Sequence, residues 1–97
     1  MPTYVMLVNW TDQGIRNIAD GAKRLDAAKT LLKDMGGEVK SVYMTMGQYD
    51  LLAVYDAPDD AVAARFTLML GKTGNVRTTS MKAFPDQAFR QVVSSLG

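Results

Sequence analysis

Gly47-Gln48-Tyr49-Asp50 lies between two runs of strand-forming residues, residues 39–46 before it and residues 51–55 after it. Aspartate bonds readily to turn amides, and glycine adopts backbone angles that other residues avoid, so this stretch is typical of a tight turn. The pattern predicts a β-hairpin with Tyr49 and Asp50 at its tip. A phenol beside a carboxylate at such a tip serves either chemistry or turn construction, and the sequence leaves both interpretations open.

The segments on either side of the hairpin alternate between strand and helix patterns. A strand is expected over residues 3–9, then a short helical turn and a long helix over residues 22–35, which Gly36-Gly37 ends. A second long helix follows the proline and acids of residues 56–60, and a strand over residues 75–84 and a last helix to Leu96 complete the chain. This β-α-β-β-α-β order with a terminal helix predicts one ferredoxin-like α+β domain over residues 1–97, built on a four-stranded antiparallel sheet.

Both faces of the predicted sheet are apolar. In the first strand Tyr4, Met6, Val8 and Trp10 alternate with Val5 and Leu7, and in the third strand Leu51, Ala53 and Tyr55 alternate with Leu52 and Val54. A sheet with helices on one side only normally has polar residues on its free face. If this face were exposed to solvent, it would form a larger apolar patch than monomeric proteins usually expose. The terminal helix would cover that face in part and a second sheet more completely. We therefore predict a homodimer whose sheets pack face to face as a shared barrel.

Composition restricts the chemistry available to the chain. It contains neither Cys nor His, which excludes thiolate nucleophiles, imidazole bases and the usual zinc ligands. The acids Asp56, Asp59 and Asp60 are better explained by helix capping than by a metal, so we predict no metal site and no cofactor. Gly71-Lys72-Thr73 lacks both the earlier glycine and the preceding strand of a phosphate-binding loop.

The charge and hydropathy of the chain bear on whether it binds nucleic acid or a membrane. Eleven Lys and Arg residues are interleaved with ten Asp and Glu residues, which predicts no nucleic-acid surface. No stretch approaches the ~20 apolar residues of a membrane span, and the first residues do not resemble a signal peptide. We expect a cytoplasmic protein.

Three polar side chains are the candidates for chemistry. The Tyr49 hydroxyl can donate to a developing oxyanion, and the neighbouring Asp50 carboxylate can orient a substrate or accept a proton. Arg24 near the start of a helix opposes the helix dipole, so we expect it to pair with Asp50 or with a ligand carboxylate. The alternatives are a purely structural turn and an exposed helix arginine.

Aromatic side chains are the candidates for ligand binding. A cavity could be lined by Trp10, Tyr43 and Tyr55, joined by Tyr4 and Met6, because binding pockets are mostly apolar with a few polar groups. Packing in the core is the alternative for most of these residues. Trp10 is the favoured ligand contact, since it lies where the first strand opens into a loop.

Several short motifs make the chain similar to the GYD domain family. They are Gly47 with Tyr49-Asp50, Arg24, Gly36-Gly37, Ala57-Pro58-Asp59-Asp60, and Gly74-Asn75-Val76-Arg77-Thr78. The resemblance runs from Tyr4 to about Phe89 and implies a small bacterial or archaeal protein with a dimeric α+β barrel. Similar barrels include haem enzymes, cofactor-free monooxygenases, muconolactone isomerase-like enzymes and ligand-sensing domains, so the fold does not select a function. The missing His argues against a His-ligated haem.

Three functions therefore remain open from the sequence. The first is a homodimer whose barrel cavity binds a small, partly apolar ligand through Trp10, Tyr43, Tyr49, Asp50 and Arg24. The second is a cofactor-independent isomerase or monooxygenase that uses Tyr49, Asp50 and Arg24. The third is an interaction protein without a cavity.

Overall fold

Four strands form one antiparallel sheet in the computed structural model, which describes residues 1–97. They are β1 (Thr3–Trp10), β2 (Glu38–Met44), β3 (Leu51–Asp56) and β4 (Val76–Ala83), in the sheet order β2-β3-β1-β4. The helices are α1 (Asp12–Arg16), α2 (Gly21–Asp34), α3 (Asp60–Lys72) and α4 (Asp86–Ser94), with a 3₁₀ turn at Ile18–Asp20. The predicted ferredoxin-like α+β fold is confirmed. None of the helices is long and apolar enough to cross a membrane.

The core lies between the sheet and the helices α2 and α3. Tyr4, Met6 and Val8 of β1 are at most 6% exposed, and Leu32 of α2 and Phe66 of α3 pack in the same cluster. Aromatic rings join the layers: Tyr4 stacks on Tyr55 with centroids 5.3 Å apart, and Tyr55 meets Phe66 edge-on at 5.3 Å. The alternation in β1 thus directs one set of side chains to the helices, as the sequence predicts.

The opposite face of the sheet carries no helix. Val5 pairs with Val54 and Leu7 with Leu52, so four aliphatic side chains alternate with the core residues and remain half-buried. We call this surface the open face; Tyr43 and Met81 flank it, 62% and 48% exposed. Its composition agrees with the expectation that both faces of the sheet are apolar.

Helix α4 does not cover the open face. It ends at Ser94 rather than at Leu96, and it makes no extended packing contact with any other element. Its apolar side chains remain exposed: Phe89 59%, Val92 46%, Val93 49% and, just beyond the helix, Leu96 81%. The chain therefore presents two apolar surfaces without partners, the open face and one side of α4.

Candidate functional site

Asp50 fastens the hairpin tip to the end of β1. Its carboxylate accepts a hydrogen bond from the backbone N–H of Trp10 at 2.9 Å. Its own backbone N–H donates to the Val8 carbonyl at 2.9 Å, and its carbonyl accepts from the Thr45 N–H at 2.8 Å. Asp50 thus joins the hairpin tip, the end of β1 and the residue that follows β2. Of the two interpretations of the turn, chemistry or turn construction, these bonds support turn construction.

The rest of the turn is also built for closure. The Thr45 hydroxyl donates to the Tyr49 carbonyl, and the Asn9 amide donates to the Gln48 carbonyl at 2.9 Å. Gly47 has φ of +148°, a conformation that L side chains rarely adopt, so the position favours glycine. None of these bonds uses the hydroxyl of Tyr49, whose ring is half-buried.

Arg24 does not pair with Asp50, so the first of the two partners expected from the sequence is wrong; the second, a ligand carboxylate, stays a prediction. Its Nη1 donates to the Asn17 carbonyl at 2.8 Å, and its Nη2 donates to the Gly14 carbonyl at 3.2 Å. Both carbonyls belong to the end of α1, where the unpaired carbonyls of a helix attract a cation. Arg24 therefore ties α2 to α1, and Tyr49, Asp50 and Arg24 do not assemble into one hydrogen-bonded cluster.

Trp10 and Tyr43 lie on opposite faces of the sheet, so the two do not line one cavity of this chain. Trp10 follows the register of the core residues, whereas Tyr43 pairs with Leu52 of the open face. The cause is a bulge in β2: the register shifts between Val39 and Ser41, and the residues beyond it change sides. Strict alternation from Val39 would have placed Tyr43 with Trp10.

A pocket of about 230 Å³ lies between the helix-facing side of the sheet, α2 and α3. Thirteen of the seventeen residues that line it are hydrophobic, among them Met6, Trp10, Leu25, Leu51, Met69 and Val76. Arg24 is the one charged residue of the lining, beside Thr73 and Asn75 as polar members. The pocket thus contains two of the predicted ligand contacts, Trp10 and Arg24, and none of the other three, Tyr43, Tyr49 and Asp50.

Sequence reasoning missed a second polar cluster, at the other end of β1. The Tyr4 hydroxyl donates to Asp60 at 2.5 Å, and the Lys82 ammonium lies 3.1 Å from the same carboxylate oxygen. Burial, followed by the bond to Asp60, raises the pKa of Tyr4 to about 12. The bonds from Tyr4 and Lys82 lower the pKa of Asp60. Because Tyr4, Asp60 and Lys82 are far apart in sequence, no local sequence motif predicts that they lie together.

The remaining acids serve the fold in separate ways. Asp59 caps α3, since its carboxylate accepts from the Val62 N–H at 2.9 Å. Asp56 is not a cap, contrary to expectation: it accepts from the Thr3 hydroxyl at 2.9 Å and lies 3.7 Å from the Lys40 ammonium. No group of three or more potential metal ligands comes together in the structure.

Helix α1 is fixed against the turn before β4. The Thr11 N–H donates to the Asn75 carbonyl at 3.0 Å, and the Gln13 amide donates to the Asn75 side chain at 3.0 Å. Gly14 is buried in this contact, and the position requires glycine because a Cβ would lie 2.0 Å from the Asn75 carbonyl oxygen. This contact sets the position of the α1 carbonyls that Arg24 binds.

The architecture is shared by solved structures of low sequence identity. FFRP-DM1 superposes with a TM-score of 0.62 at 19% identity, covering 86% of this chain and 99% of that one. TTHA0845 from Thermus thermophilus gives 0.56 at 22% identity, over 87% and 94% of the two chains. The leucine response regulatory protein LrpA of Mycobacterium tuberculosis gives 0.56 at 18% identity over 84% of this chain, but the match spans only 49% of LrpA. These likenesses define the class, a small protein with a ferredoxin-like α+β fold.

Sequence comparison identifies the family. The GYD domain profile matches residues 4–93, and the chain belongs to this family, which confirms the resemblance seen in the motifs. A Thermus thermophilus protein named "Glutamine synthetase and cystathionine beta-lyase binding protein" is 34% identical over 86 residues, covering 88% of this chain and 90% of that protein.

Proposed function

We propose that this chain is a protein-binding module that works as a homodimer and has an enzyme as its partner. The unpartnered open face carries the first half of the proposal. Support for the second half comes from the Thermus relative, whose name describes binding to two enzymes and which is similar over nearly its whole length. Tyr49, Asp50 and Arg24 do not form one hydrogen-bonded cluster, so the alternative of an isomerase or monooxygenase lacks an assembled set of catalytic groups.

The surface area of the single chain supports a dimer. The chain exposes 6,544 Å², whereas a folded monomer of 10.6 kDa is expected to expose about 5,500 Å². The excess of about 1,000 Å² is comparable to the ~800 Å² that each partner buries in a standard interface. Only 11 of 97 residues are buried, so a second subunit would complete a core that one chain leaves thin.

The occupant of both apolar surfaces in this proposal is a second copy of the chain. The strands of the open face are antiparallel, and its central residues are all aliphatic: Val5, Leu7, Leu52 and Val54. Charged residues of the same alternation, Asp56 and Arg77, lie only at its ends. Two such faces stacked about 10 Å apart form a sandwich core. The apolar side of α4 would then pack on the partner subunit, because its own chain offers it no extended contact.

The dimer is tested with a pair of leucine substitutions. Leu52→Lys places a charge on the open face, whereas Leu68→Lys makes the same change at a leucine of α3 that is 72% exposed. Light scattering should give a dimer for the wild type and Leu68→Lys, and a monomer for Leu52→Lys. A monomeric wild-type protein would refute the assembly.

The enzyme partner is tested by mixing the purified protein with purified glutamine synthetase and cystathionine beta-lyase from the same source. Titration calorimetry should detect saturable binding to at least one of them. Binding to neither by a dimeric protein would reject the enzyme partners and leave the dimer standing. The two halves of the proposal therefore fail separately.

A second candidate function is the binding of a small, partly apolar ligand. The pocket of about 230 Å³ between α2, α3 and the sheet is the observation that favours it. This location lies within one subunit, so the ligand would not occupy a barrel shared by two chains. An apolar cavity of ~150 Å³ is enough to bind benzene, so the volume suits a small ring or a branched aliphatic group.

A further inference from the structure

We propose that the pocket between α2, α3 and the sheet binds a small apolar monocarboxylate, whose carboxylate Arg24 receives. This inference rests on the second candidate function and names the chemical class of its ligand. It follows from three properties of the lining: its apolar walls, its single charge and the unused hydrogen-bond donors beside that charge.

The walls select an apolar body. Leu25 and Leu31 of α2, Met69 of α3 and Leu51 of β3 surround the space, and no acidic residue contributes to the lining. Such walls favour a ligand by removing its apolar surface from water and reject one with several polar groups, because those groups would lose water without gaining partners. The volume of about 230 Å³ limits the ligand to roughly the size of a substituted benzene ring.

The single charge selects an anionic group. Arg24 is half-buried and forms none of the four ion pairs of the chain, so no carboxylate of this protein neutralises it. Two neutral carbonyl oxygens hold its guanidinium, at 2.8 Å and 3.2 Å. A guanidinium carries five N–H donors, so at least part of the donor set remains for a planar carboxylate. One carboxylate would balance the one charge.

The guanidinium is also positioned before any ligand arrives. The bonds to the carbonyls of Gly14 and Asn17 fix it on α1, and α1 is itself fixed by Gly14 against Asn75. A preorganised donor costs little ordering entropy on binding. Asn75 adds a further donor to the lining, because its side-chain oxygen accepts from Gln13 while its amide nitrogen donates to no group of the chain.

The experiment compares cinnamate with cinnamamide, which have the same apolar body and differ in the charge of the head group. Titration followed by amide NMR shifts should show both probes at residues lining the pocket, with cinnamate at least about tenfold tighter. Ala28→Leu, which fills the pocket from α2, should abolish binding of both. Arg24→Gln should lower cinnamate affinity to that of cinnamamide, whereas Lys23→Gln, which removes the same charge from the exposed neighbour, should leave the preference intact.

The outcomes distinguish whether the pocket binds a small ligand at all from whether that ligand is a carboxylate. If neither probe shifts the residues of the pocket, the small-ligand function itself is overturned. If both probes bind with equal affinity, the pocket binds ligands but the carboxylate class is wrong. Because this comparison uses the wild-type protein, it remains decisive even if Arg24→Gln loosens α1. A preference that survives in a folded Arg24→Gln variant would remove Arg24 from the role.

Discussion

The Asp50 carboxylate accepts the backbone N–H of Trp10 at 2.9 Å and thereby joins the hairpin tip to the last residue of β1. The bond connects residues 40 positions apart and adds to the backbone bond from the Asp50 N–H to the Val8 carbonyl. The backbone N–H of Trp10 requires an acceptor, because at the end of β1 no carbonyl of a neighbouring strand remains to pair with it. The carboxylate of the family motif therefore has a defined structural task.

Substitutions of Asp50 should separate the loss of its charge from the loss of its hydrogen bond. Asp50→Asn keeps an oxygen that accepts from Trp10, so the free energy of unfolding should fall by less than about 1 kcal/mol. Asp50→Ala leaves the Trp10 N–H without its partner and should cost about 1–3 kcal/mol. Urea denaturation of the two variants measures the difference, and equal losses would contradict the assigned role.

Loss of the hydroxyl should destabilise the fold at Tyr4 and should not destabilise it at Tyr55. The Tyr4 hydroxyl is bonded to Asp60 at 2.5 Å. The Tyr55 hydroxyl is fully buried and has no partner in hydrogen-bonding geometry; Ser80 is close enough to affect its pKa but does not form a well-aligned bond. Tyr4→Phe should lower the free energy of unfolding by about 1–2 kcal/mol, and Tyr55→Phe should leave it unchanged or raise it slightly. The prediction is wrong if chemical denaturation finds Tyr55→Phe the more damaging change.

Strand alternation and helix ends could be predicted from the sequence because both depend on neighbouring residues. The side-chain period of two assigns Tyr4 and Met6 to one face without any knowledge of the fold, and Gly36-Gly37 ends α2 through local backbone freedom. Tyr43 does not share a face with Trp10, as a common cavity would require, because a bulge shifts the register of β2. Such a bulge depends on the pairing of β2 with β3, which the sequence of β2 alone does not contain.

The partners of Arg24 could not be predicted for a related reason. Its acceptors are backbone carbonyls, which every residue possesses, so no side-chain motif points to them. Their location depends on the packing of Gly14 against Asn75, a contact between distant segments. Residue type indicated that Arg24 needs an acceptor, while tertiary structure decided which one.

Alkaline pH should destabilise the fold through Tyr4. Its pKa is raised to about 12 in the folded chain, above the ordinary value of about 10, so the folded state holds the proton more tightly. The stabilisation is complete below about pH 10 and is lost as the pH rises towards 12, where a phenolate would face Asp60. Urea midpoints measured across this range should fall more steeply for the wild type than for Tyr4→Phe.

Tyr55 also contributes to the loss of stability at alkaline pH, so its contribution must be separated from that of Tyr4. Burial also raises the pKa of Tyr55, against a smaller opposing effect of Ser80, so its contribution has the same sign. Some loss of stability at alkaline pH should therefore persist in Tyr4→Phe and be smaller in the double variant with Tyr55→Phe. A residual loss is expected there, because Glu38 also raises the pKa of Lys40. Identical pH profiles of the wild type and Tyr4→Phe would contradict the assignment to Tyr4.

Two glycine-to-alanine substitutions should differ in sign. The Cβ of Gly14→Ala would lie 2.0 Å from the Asn75 carbonyl oxygen, so α1 must move and the variant should lose stability, by about 1–3 kcal/mol. Gly71→Ala lies in α3 with nothing within 4 Å of the new Cβ, and should gain up to about 1 kcal/mol from helix propensity. Thermal unfolding of both variants checks the prediction, and an unchanged Gly14→Ala would contradict the close packing of α1.

Helix α4 should contribute to association and little to the stability of the isolated chain. Val92 is 46% exposed and belongs to the apolar side of the helix, whereas Gln91 is an exposed polar neighbour. If α4 packs on a second copy, Val92→Lys should weaken the dimer and Gln91→Lys should not, because only the first buries a charge in the interface.

The melting temperature of a dimer rises with protein concentration, so a scan over about a hundredfold range of concentration measures the association. The wild type and Gln91→Lys should share that concentration dependence and Val92→Lys should reduce it; equal behaviour of all three would exclude α4 from the interface.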